Sequence, residues 1–156
     1  MEAVAGALEF TTGGPSNTAV GRAALQSNTN SAGNVAIGES ALTSNISAGS
    51  SVAIGQSALQ NSNSNNNVGV GASSLFGNSA GTNNVAVGYF AGVSTIFNNR
   101  NQTGSSNTYL GAEAGPGTST QLSNSSAIGA NAAVTASNAL VLRSEEHTSE
   151  LQSPYV

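Results

Sequence analysis

The sequence contains no cysteine, no lysine and no aspartate, and charged residues make up only 6% of its 156 positions. Aromatic residues are scarcer still, at 4%. Each absence excludes something. Without cysteine there is no disulfide framework. Without aspartate, a calcium-binding nonapeptide roll has no ligand to place in its turns. So few large side chains leave little area for a conventional core, because Ser, Asn, Ala and Gly bury little each. No apolar run approaches the roughly 18 residues of a transmembrane helix. The opening MEAVAGALEF lacks the layout of a secretory signal. Export would need a signal outside this segment; the alternative is assembly inside a cell followed by release.

The little charge that exists is unevenly placed. Residues 143–156, RSEEHTSELQSPYV, hold four of the ten charged residues and the only histidine. RSEEHTSELQS resembles the translation of a widely used sequencing-library adapter, so 143–156 is set aside as a tag would be. The functional alternative for this tail is a metal-binding pair, Glu146 and His147. Residues 1–142 carry Arg22 and Arg100 against Glu2, Glu9, Glu39 and Glu113, a net charge of −2. Two arginines far apart in sequence cannot neutralise a run of phosphates, so nucleic acid is excluded. The same shortage excludes a basic membrane-binding patch.

What the chain has instead is repetition. Gly21, Gly38, Gly55, Gly71, Gly88, Gly111 and Gly129 follow one another at intervals of 17, 17, 16, 17, 23 and 18 residues. A period of this size signals a solenoid. Immediately before the glycines, with Leu142 closing the series, stand Val20, Ile37, Ile54, Val70, Val87, Leu110, Ile128 and Leu142. Thr18, Val35, Val52, Val68, Val85, Thr108 and Ser126 lie two positions earlier, on the same face of a strand. Between them the residue is small in all but one unit: Ala19, Ala36, Ala53, Gly69, Ala86, Tyr109 and Ala127. The expectation is a strand with a bulky, buried ladder on one face and a nearly flat opposite face. Glycine turns the corner. Ala24, Ala41, Ala58 and Ser74, followed in these first four units by Leu25, Leu42, Leu59 and Leu75, then suggest a second short strand. The loops that remain are rich in the turn formers Asn, Ser and Gly. Tracts such as NSNSNNN at 61–67 are common in unfolded chains, yet disorder does not place Val, Ile or Leu in phase with Gly seven times. The domain reading is an irregular edge or degenerate coil at 1–16, with Gly6 in the glycine role, then the repeat domain at 17–142.

The unit N-x-[AG]-[VI]-G-x-x-A-L, seen as NTAVGRAAL, NVAIGESAL and, with a one-residue offset, NNVGVGASSL, resembles the YadA-like head repeat of trimeric autotransporter adhesins. It is similar also to repeats in phage-type tail fibres. The resemblance covers residues 17–142. It implies an all-β, left-handed parallel β-roll of about eight short coils, a side-by-side homotrimer, and attachment to a host or matrix protein or glycan receptor. The implied location is a cell surface, anchored through a region outside this segment, or a virion tail fibre. The flat Ala/Gly face suits close packing between chains. Most intervals exceed the family's minimum of about fourteen residues, and Arg143 stands where a glycine is due after Leu142.

Chemistry is sparse. Outside the tail there is no His, Lys, Asp or Cys to serve as a base, so no nucleophilic centre can be assembled. Glycoside hydrolysis needs two carboxylates about 5 to 9.5 Å apart. Glu39 and Glu113 sit four coils apart, about 19 Å along a rod with strand spacing. The reading is therefore no enzyme, no cofactor and no metal. The irregular unit at 88–111 gathers Tyr89, Phe90, Phe97, Arg100 and Tyr109, which make a candidate receptor contact. The same residues also fit an insertion whose aromatics cover the neighbouring coil. A further alternative, an ice-binding solenoid, calls for regular Thr or Asn ladders on a flat face, which loops of varied length and sequence argue against.

Overall fold

The computed structural model describes residues 14–94 and 99–142. The degenerate coil around Gly6 and the adapter-like tail with Glu146 and His147 lie outside the described residues. Within them the chain is all-β. The strands are β1 Thr18–Val20, β2 Val35–Ile37, β3 Val52–Ile54, β4 Val68–Val70 and β5 Val85–Val87. A short antiparallel pair follows, β6 Val93–Ser94 with β7 Asn99–Arg100. Beyond it come β8 Thr108–Leu110, β9 Gly115–Pro116, β10 Ser126–Ile128, β11 Ala133–Val134 and β12 Leu140–Leu142. One eight-stranded parallel sheet runs β1-β2-β3-β4-β5-β8-β10-β12, so seven turns of a β-solenoid separate its first strand from its last.

The register places each pre-glycine residue directly over its counterpart: Val20 on Ile37, Ile37 on Ile54, Ile54 on Val70, and so on to Ile128 on Leu142. At strand spacing the sheet is about 34 Å long. The seven corner glycines have φ between +114° and +135°. Gly38 shows why no side chain fits there: a Cβ would lie 2.5 Å from the carbonyl oxygen of Gly55 in the next coil.

Two expectations need correction. The first concerns which face is inside. The small residues, not the branched ones, point inward: Ala36, Ala53, Ala86 and Ala127 are fully buried, while Val20, Ile37, Ile54, Leu110 and Leu142 are 38–48% exposed. Val70, Val87 and Ile128 in the same file are partly exposed. A coil this narrow has no room for two opposed files of bulky side chains, and the second wall already supplies Leu25, Leu42, Leu59 and Leu75, all fully buried. The flat face therefore seals the inside of the coil and is not a surface for packing between chains. The second correction concerns that wall. In the first four coils it is no strand but a turn, with Leu25, Leu42, Leu59 and Leu75 in the left-handed region at φ of 48–51°. Only later does it become extended, in the parallel pair of β9 and β11.

The leucine file ends at Leu75. At the same offset from later corners stand Gly92, Gly115 and Ala133. Tyr109, on the opposite wall in the alanine file, supplies the missing volume and is fully buried. A Cβ on Gly92 would come within 3.3 Å of the Tyr109 ring. Large and small have exchanged walls.

Half of the interior is polar. Asn17, Asn34, Ser51, Asn67, Asn84, Asn107 and Ser125 each stand four residues before a corner glycine. Each side-chain oxygen except the last accepts the backbone N–H of the next member at 2.9–3.2 Å, in six consecutive steps. The amide nitrogens donate to loop carbonyls, Asn34 to Ala48, Asn67 to Gly81 and Asn84 to Gly104. A second file donates to the same three oxygens from Asn45, Asn78 and Asn101. Burial of these loops is tolerable because their polar groups are paired within the coil stack.

Candidate functional site

Strand alternation turns two files of the eight-stranded sheet outward. One runs Thr18, Val35, Val52, Val68, Val85, Thr108, Ser126, Leu140; the other runs from Val20 to Leu142 in the order already given. Val85 is 39% and Leu140 61% exposed. The result is a flat aliphatic strip along the whole sheet. Continuous apolar strips of this kind on a folded chain mark interaction surfaces.

Of the five residues grouped as a receptor contact, the four described ones do not share one surface. Tyr89 and Phe90 follow the corner at Gly88 and pack edge to face, ring centroids 4.6 Å apart and planes 76° apart. Tyr89 is exposed. Arg100 lies on β7, its stem over the backbone of Gly77. Phe97 is outside the described residues. Tyr109 is a correction: a side chain wholly inside the coil cannot meet a receptor. Its hydroxyl makes no hydrogen bond of normal geometry among the described residues. Burial pushes its pKa up to about 12, and the neighbouring Ser125 offsets a little of the rise. The Ser125 hydroxyl donates its own proton to Asn107 Oδ1.

Among the described residues the two carboxylates, Glu39 and Glu113, lie on different coils. Glu39 forms an ion pair with Arg22 one coil away, on a solvent-facing corner. Glu113 stands three coils further along the stack than Ser57, in the same file. Among the described residues no group of three His, Cys, Asp or Glu could hold a metal ion, and no helix is long and apolar enough to cross a membrane.

Sequence reasoning treated the asparagines as turn formers and missed their role inside. The signal was available: Asn or Ser occurs four residues before every corner glycine, a phase that a free loop does not keep.

No family model, curated protein or solved structure matches the chain.

Proposed function

We propose that this chain is a segment of a surface fibre, an adhesin-type head whose work is to stack, to associate with copies of itself and to present its remaining surface for attachment. The observation that carries the reading is the aliphatic strip. Thirteen of the sixteen outward positions are aliphatic, and seven of these side chains are 38–61% exposed, so the apolar surface runs the length of the sheet. Three such faces turned toward a common axis close a ring and leave no apolar strip in water. The likeness of NVAIGESAL and its sister units to YadA-like head repeats supports the same arrangement. So does the shortage of charge: the free faces are polar, neutral and hydrogen-bonding, suited to contact and not to chemistry.

The test is sedimentation of the full chain at tens of micromolar, beside the double variant Ile37→Glu/Ile54→Glu. The parent is expected to sediment as a trimer. The double variant is expected to sediment as a monomer with an unchanged β-type circular dichroism spectrum, because both side chains lie outside the coil. A monomeric parent, or a double variant that still associates, would overturn the reading.

A further inference from the structure

We infer that Thr18, Thr108 and Ser126 decide how copies of the chain face one another, selecting the parallel arrangement in which equal coils meet. This deepens the association reading above, on which it rests, by naming the side chains that choose the arrangement. One outward file of the sheet, Val20 to Leu142, is aliphatic at all eight positions. The other reads, along the stack, Thr18, Val35, Val52, Val68, Val85, Thr108, Ser126, Leu140. Hydroxyls therefore stand on the first, sixth and seventh strands of the sheet and nowhere else on the strip. Thr108 and Ser126 are direct neighbours in the register, about 4.8 Å apart, whereas Thr18 lies next to Val35 at the far end. All three side chains are at least partly exposed, so in a single chain water serves their hydroxyls. Four sister coils carry valine in the same file, which shows that the coil itself does not call for a hydroxyl there.

Covering the strip takes those hydroxyls out of water. A hydroxyl that then meets a methyl group has lost its partner and gained none. One that meets another hydroxyl, directly or through a trapped water, keeps a hydrogen bond. The pattern matches a second copy of itself completely in one arrangement. With two copies parallel and level, Thr18 faces Thr18, Thr108 faces Thr108 and Ser126 faces Ser126. Antiparallel at full overlap, Thr18 faces Leu140, Thr108 faces Val52 and Ser126 faces Val35. A one-coil slide does not repair either case: in the parallel sense it sets Thr18 against Val35 and Ser126 against Leu140, and in the antiparallel sense it leaves Thr108 against Val35 or Val68. Isolated polar positions in an apolar seam fix register and orientation in this way, at some cost in affinity.

The chain has no cysteine, so single cysteines in the full chain report which positions meet. Ile37→Cys, on the second strand of the sheet, links to itself where copies are parallel and level. Mixed with Ile128→Cys, on the seventh, it gives a mixed link where copies are antiparallel at full overlap. The two variants, one of them tagged to set its mass apart, are refolded together, oxidised and resolved on non-reducing gels, with sedimentation of each sample alongside. Self-links are expected to exceed mixed links by about tenfold or more, the factor that one unmatched buried hydroxyl supplies. In the background Thr18→Val/Thr108→Val/Ser126→Val the ratio should fall to within about threefold of parity, with an unchanged circular dichroism spectrum. The exchange Thr108→Ser/Ser126→Thr, which keeps every hydroxyl, should hold the parent's ratio. A monomeric parent overturns the association reading and the hydroxyls' role with it, as does association without either link, which moves the contact off the strip. A parent that associates with self-links no commoner than mixed links overturns the hydroxyls' role alone. So does a folded triple-valine variant that keeps the parent's ratio, or a hydroxyl exchange that loses it.

Discussion

Replacing Asn84 with leucine removes one rung of the buried amide ladder while keeping the side-chain size. Asn84 Oδ1 accepts the Asn107 backbone N–H at 2.9 Å, and its Nδ2 donates to the Gly104 carbonyl at 2.8 Å. The Gly104 oxygen keeps its second donor, Asn101. The Asn107 N–H is left buried with nothing to meet it. An orphaned buried donor costs about 1–3 kcal/mol, and the lost bond to Gly104 adds about 0.5–1.5 kcal/mol. Asn84→Leu should therefore destabilise the rod by about 2–4 kcal/mol. Asn84→Ser should cost less, about 1–2 kcal/mol, because a hydroxyl can still accept, as Ser51 accepts from Asn67 in the third coil. The assay is thermal unfolding followed by far-UV circular dichroism, at one protein concentration because association adds apparent stability. The expected fall for the leucine variant is roughly 5–10 °C, and the order parent, serine, leucine is the discriminating outcome. A leucine variant that melts with the parent would refute the claim that the ladder holds the coils together.

Two further predictions follow from the same geometry. Gly38→Ala should cost about 3 kcal/mol or more, since left-handed strain and a backbone clash add. Gly33→Ala has φ 71° but no neighbour closer than 3.9 Å, so it should cost only about 1–2 kcal/mol; urea midpoints of the pair check this, and equal losses would contradict the corner argument. Tyr109→Phe deletes a buried hydroxyl with no partner, so it should be neutral or stabilising by about 1 kcal/mol near pH 7. The Tyr109 pKa is about 12 against an ordinary 10, so above pH 10 the unfolded chain has lost a proton that the folded chain keeps. Stability from this group is therefore complete below pH 10 and falls between pH 10 and 12. The parent should lose more stability across that window than Tyr109→Phe, measured by urea unfolding at each pH; identical alkaline losses would contradict it.

The aliphatic sheet was legible as a pattern. Period-2 alternation in VAIG and the phase of seven glycines fix strands, corners and register, because both depend on local backbone chemistry and on repetition. Ile37 had to lie over Ile54. Whether that file faced in or out was not legible, since both faces of VAI are apolar and alternation alone carries no sign. Closure of the coil decided it: the interior holds one leucine file and one alanine file, and the branched residues are left outside. The same closure sent Tyr109 inward, where a sequence reading grouped it with exposed aromatics. Its phase with Ala36 and Ala53 said as much, but residue size pointed the other way. The asparagine ladder was visible only as spacing. That each side chain pairs with a backbone N–H one coil further on follows from a stacking distance of about 4.8 Å, which the sequence determines in number of residues and only the folded coil converts into contact.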